Sequence, residues 1–97
     1  SRLADKFISE TEYIDSSRKV IHQLLHWSAK ETMFKLMEES EIDFKEHLHV
    51  QPFTPQGKGI FQASESRTEQ QQTFQIHYEV LSDAVLTWAV GNGTRSL

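Results

Sequence analysis

Apolar positions return at two different periods along this chain, and the change falls near residue 42. Between about residues 10 and 39, apolar or small side chains recur every three or four positions, at Tyr13/Ile14, Ser17, Val20/Ile21, Leu24/Leu25 and Trp27/Ser28. That spacing predicts a helix with one face turned to a core. Ser9 and Glu12 have capping-box spacing, and Ile8 ahead of them can staple onto Tyr13, so the expected start is Ser9. At Ser28 the stripe rotates: Met33, Phe34, Leu36 and Met37 lie off the earlier face, and Ser28 with Glu31 forms a second box. The expectation is a kinked helix, or two helices with the second ending near Ser40. Leu3, Phe7 and Ile8 predict a short helical turn or a packing arm.

From about residue 43 to 91 the period becomes two. Phe44, Leu48 and Val50 suggest a first strand, closed by the loop sequence QPFTPQGKG. Ile60 and Phe61 open a second strand that runs to about Glu65, and the polar SRTEQQQ stretch reads as a long hairpin loop. Phe74, Ile76, Tyr78 and Val80 alternate with Thr73, Gln75, His77 and Glu79, which predicts a half-buried third strand. Ser82-Asp83 supplies a tight turn. A fourth strand carries Leu86, Trp88 and Val90 on one face and Val85, Thr87 and Ala89 on the other, ending at Gly91-Asn92-Gly93. Both of its faces are apolar, so it is expected to be central or covered on both sides.

The expected fold is therefore α+β: an N-terminal helix, long and kinked or in two pieces, packed on a four-stranded antiparallel meander. One domain spans residues 1–97, with its helical part at about 9–40 and its sheet part at about 43–91. This element order resembles the general layout of cystatin-like and nuclear-transport-factor-like domains. The likeness is one of order alone: no cystatin-type Gln-Val-Val-Ala-Gly loop is present, and a shared layout implies no function.

Composition narrows the function classes. In 97 residues only 37% are hydrophobic, so the core is small, and ten aromatic residues must supply much of its buried area. A chain built this way often completes its core against a second copy. The net charge of −4, with Lys and Arg scattered among acidic residues, argues against nucleic-acid or anionic-membrane partners. The absence of cysteine excludes disulfides, thiolate metal sites and a cysteine nucleophile. No apolar run approaches the length of a membrane span, and no stretch reads as a signal-peptide core. A cytoplasmic location is the default expectation, and Asn92-Gly93-Thr94 is then a chance sequon.

The candidate chemistry centres on histidine. His22 and His26 are four apart on a helix, as in metal-binding helices, but the zincin glutamate is missing and Arg18 and Lys30 share their face. They read as a solvated flank beside the Ile21/Leu25 stripe. His47 and His49 would share one face of a strand, and His77 could join them if the third strand pairs in a suitable register. Glu38, Glu39, Glu41, Asp43 and Glu46 read as a solvated connection. PQGKGIF lacks the spacing and context of a phosphate loop. Two apolar helix faces and a two-faced strand exceed what one helix-on-sheet layer needs, and this excess points to an interface.

The reading is thus a small non-enzymatic interaction module, self-associating as a homodimer through Trp27, Phe34, Met37 and Trp88. No catalytic residue and no cofactor are assigned. The alternative is a ligand-binding domain, using a pocket under the helix lined by Phe74, Tyr78 and Trp88, or a metal patch of His47, His49 and His77.

Overall fold

The computed structural model describes residues 3–89, and within them the α+β expectation holds. One long helix, α1 (Lys19–Leu36), packs on an antiparallel sheet of β1 (Leu48–Val50), β2 (Lys58–Glu65), β3 (Thr73–Val80) and β4 (Val85–Ala89). The strand order β1-β2-β3-β4 is the expected meander. An arm with a 3-10 turn at Ala4–Lys6 precedes the helix, and a one-turn helix, α2 (Phe44–His47), leads into β1. Val90, the Gly91-Asn92-Gly93 strand end and the sequon lie outside the described residues.

The helix starts later than its apolar pattern suggests. Ser9 and Glu12 do meet, the Ser9 N–H donating to Glu12 at 3.0 Å, but they close an isolated turn of the arm. Asp15 sets the real start. Its carboxylate accepts the Ser17 N–H at 3.0 Å and so begins the 3-10 turn Ser16–Arg18 that runs into α1.

Nor does α1 break at Ser28. The stripe that enters the core is Leu25, Ala29, Met33 and Met37, at strict four-residue spacing, with Ala29 small enough for close approach to the sheet. Ser28 lies on the flank of that stripe, where its hydroxyl is 2.7 Å from the Thr87 hydroxyl. A side chain bonded across to β4 is not available to cap a second helix.

The first strand is shorter than expected because Asp43 nucleates a helical turn instead. Its carboxylate accepts the N–H groups of Lys45 (2.9 Å) and Glu46 (3.0 Å), which removes Phe44 and His47 from the strand.

Register decides the faces of the sheet. Toward the helix stand Leu48 and Val50, Phe61 and Ala63, Phe74, Ile76 and Tyr78, which with the helical stripe form the core. Burying each large member contributes about 1.5–3 kcal/mol. Ile76 pairs with Ala89 and Tyr78 with Thr87, so β4 turns Val85, Thr87 and Ala89 inward. Leu86 and Trp88 point to the open face. Among the described residues β4 is an edge strand, not the covered central strand its composition suggested.

Gly59 leaves room for the Tyr78 ring across the β2–β3 pair. A Cβ there would lie 3.2 Å from the Tyr78 ring, which packs at a tilt against Phe53 and Phe61 and accepts the Gln56 N–H at 2.9 Å through its hydroxyl.

Candidate functional site

The arm, the helix and β1 meet at a buried polar cluster. Lys30 carries its amine into the interior, where it donates to the Phe7 carbonyl (2.6 Å) and to Glu12 (2.8 Å). The other oxygen of Glu12 accepts the Val50 N–H at 2.6 Å. One carboxylate therefore joins arm, helix and sheet. Both ionised side chains are almost fully enclosed, at 0% exposure for Lys30 and 4% for Glu12. Burial lowers the Lys30 pKa, and the Glu12 carboxylate opposes that shift.

His22 and His26 belong to the same region and are buried, not the solvated flank their spacing suggested. The arm covers them. His22 Nδ1 accepts the Asp15 N–H at 2.9 Å, and its ring packs edge-on against Phe53, Tyr13 and His26. His26 Nδ1 stands 3.8 Å from Glu12, too far for a hydrogen bond, and both of its nitrogens lack partners among the described residues. Burial is the main cause that pushes its pKa down to about 3, with the Lys30 and His22 charges adding to it. Burial also lowers His22, against the attraction of Asp15. Neutral, enclosed imidazoles of this kind fill space and stack.

Glu65 is a second buried carboxylate, and it organises the β2–β3 loop. It accepts the N–H groups of Thr68 (2.8 Å) and Gln72 (2.9 Å) as well as the Thr68 hydroxyl. Burial alone would raise its pKa, but these hydrogen bonds outweigh it and the net shift is downward.

The strand histidines are not brought together. His47 sits in α2, with Nδ1 accepting the Asp43 N–H, and His49 bonds the Ser66 hydroxyl at 2.9 Å. His49 pairs with Ser64, itself opposite Thr73, whereas His77 pairs with Ile60 and Trp88. His49 and His77 are thus two strands and four residues apart, on the order of 15 Å. Among the described residues no group of three or more His, Asp or Glu side chains could hold a metal ion. The pocket residues separate as well. Phe74 and Tyr78 are buried under the helix, and Trp88 lies on the opposite face of the sheet, stacked on His77.

The four expected interface residues divide in three directions. Met37 is in the core. Trp88 is 44% exposed on the open sheet face, near Ile60 and Leu86. Trp27 and Phe34 are 40% and 43% exposed on the outer face of α1, and both lean on Phe44 at ring distances of 5.3 and 5.7 Å. Val20 (68%) and Leu24 (44%) continue that outer stripe, which spans about 21 Å of helix.

Beside the stripe, Leu3 and Phe7 of the arm, with Phe44 of α2, wall a groove of about 560 Å³ over Val20, Leu24 and Trp27, with Lys6 the only charged side chain lining it among the described residues. The sequence pattern holds part of the signal for this groove: Trp27 reads as an interface residue, whereas Val20 and Leu24, equally apolar and helical, read as part of the core-facing stripe. The arm's part in it was visible only as three apolar residues without a place. No family model, curated protein or solved structure matches the chain. Among the described residues no helix is long and apolar enough to cross a membrane.

Proposed function

We propose that this domain is a non-enzymatic interaction module that self-associates through the outer face of α1. The observation that carries the reading is the continuous apolar stripe Val20, Leu24, Trp27 and Phe34, exposed in a chain that has little apolar residue content to spare. Apolar groups grouped along one ridge and bordered by a groove mark a contact surface, whereas singly scattered ones do not. Four of the chemically capable side chains support the non-enzymatic part of the reading, since Glu12, Lys30, His22 and Glu65 are engaged in holding the arm, helix and loops in place.

Light scattering over a range of protein concentrations tests it, with Leu24→Glu as the comparison. The wild type should shift from monomer to dimer as concentration rises, and the variant should stay monomeric with an unchanged circular dichroism spectrum. A wild type that remains monomeric at several hundred micromolar would sink the reading.

A further inference from the structure

We infer that the self-association surface is an antiparallel pairing of α1 with α1 of a second copy, in which Phe34 of each copy enters the groove of the other. The inference rests on the interaction-module reading and specifies its partner and geometry.

The arrangement follows from where the knob and the groove sit on one helix. The groove lies over Val20, Leu24 and Trp27 in the N-terminal half, and Phe34 projects from the C-terminal half on the same side, about 15 Å farther along the axis than Leu24. A two-fold axis passing near Trp27 brings each knob onto the partner's groove and makes the contact close on itself. A parallel pairing would set knob against knob and groove against groove.

Charge gives the second, independent argument. Arg18 and Lys19 stand at the N-terminal end of α1, where no acidic residue occupies the first turn, and Glu38 and Glu39 follow its C-terminal end. This placement opposes the helix's own dipole, which favours anions at the N-terminus and cations at the C-terminus; Asp15 ahead of the helix and Lys35 in its last turn conform to it. Arg18 is used on the Pro55 carbonyl and Glu39 on Arg67. Lys19 and Glu38 are exposed and have no ion-pair partner among the described residues. In the antiparallel pair the basic end of each helix meets the acidic end of the other, so Lys19 faces the partner's Glu38 twice. A contact of one helix face plus a groove wall falls at the small end of specific interfaces, and the dimer should dissociate in the micromolar range.

Charge exchange between two variants tests the orientation. Sedimentation equilibrium is measured on wild type, Lys19→Glu, Glu38→Lys, and an equimolar mixture of the two variants. Each variant alone places like charges together twice and should dimerise roughly tenfold more weakly. The mixture restores opposite charges at both contacts and should regain wild-type affinity as a heterodimer. Phe34→Ala, at an exposed position, should weaken the dimer by about tenfold or more while leaving the fold intact. A dimer indifferent to both charge variants and to Phe34→Ala, but lost in Trp88→Ala, would overturn the inference and place self-association on the sheet. A wild type that never dimerises would remove the inference together with the reading beneath it.

Discussion

Removing the Glu12 side chain should destabilise this domain more than most core truncations. Glu12→Ala deletes the partner of a lysine amine that has no access to solvent, and it strands the N–H groups of Val50 and Ser9. Breaking one member of a buried ion pair costs about 3–5 kcal/mol. An independent bound comes from the lysine itself, which can shed its proton when the environment turns hostile. Starting from the ordinary value of 10.5, neutralisation at pH 7 costs at most about 4.8 kcal/mol. The two estimates agree, and either is a large part of the roughly 5–15 kcal/mol that stabilises such a domain. Lys30→Met should be milder, since Glu12 keeps its two backbone donors. The double variant Glu12→Gln/Lys30→Met removes both charges while preserving volume, and should lie within about 1–2 kcal/mol of wild type. Urea denaturation followed by circular dichroism gives all three values and, with the single Glu12→Gln measured beside them, the coupling energy of the pair. A Glu12→Ala cost below 1 kcal/mol, or a double variant equal to the sum of its singles, would refute the account of this cluster.

His26 makes stability sensitive to acid. Its folded pKa of about 3 lies below the unfolded 6.5, so the unfolded chain binds more protons; its contribution is complete above pH 6.5 and declines as pH falls toward 3. Between pH 7 and pH 5 this one group should remove about 2 kcal/mol, and His26→Phe should flatten that part of a stability-versus-pH curve. Gly59→Ala should lower stability by about 1 kcal/mol or more, because Tyr78 is fixed by its ring neighbours and cannot retreat from the new methyl; a gain in thermal midpoint would contradict this. Phe74→Ala should cost about 3–5 kcal/mol, whereas Trp88→Ala, on the open face, should cost well under half as much; equal losses would mean that β4 turns its other face to the helix.

The meander was legible from residues 73–80, where apolar and polar side chains alternate without exception and a single register satisfies them. β4 shows the limit of the same logic. Val85, Thr87 and Ala89 compete with Leu86 and Trp88 for the inward face, and hydropathy alone favours the wrong set. Thr87 faces the helix because Ser28 and Thr32 meet its hydroxyl, at 2.7 and 3.0 Å, an arrangement set by residues more than 50 positions away. The start of the helix was illegible for a similar reason. Ser9 and Glu12 have capping-box spacing and the carboxylate does accept the Ser9 N–H, but it also holds Lys30 and Val50, the Ser9 hydroxyl bonds Thr11 instead of the Glu12 N–H, and the helical run begins at Asp15. Burial of His22 and His26 depends on the arm folding over them, and no periodicity within the helix could report that. Trp27 and Phe34 are legible as surface residues because the apolar stripe rotates past Ser28. Met37 reads with them as an interface residue although it is buried, since Ala29, the small member linking it to Leu25 and Met33, carries little weight in an apolar count.

The enclosed amine of Lys30 gives the molecule a built-in clock. An acylating reagent can reach that nitrogen only when the arm lifts, because the Phe7 carbonyl and Glu12 close over it. The same arm supplies Leu3 and Phe7 to the wall of the groove. An occupant that braces this wall should therefore slow acylation of Lys30, and the labelling of that one nitrogen, read in a peptide map, should fall as protein concentration rises.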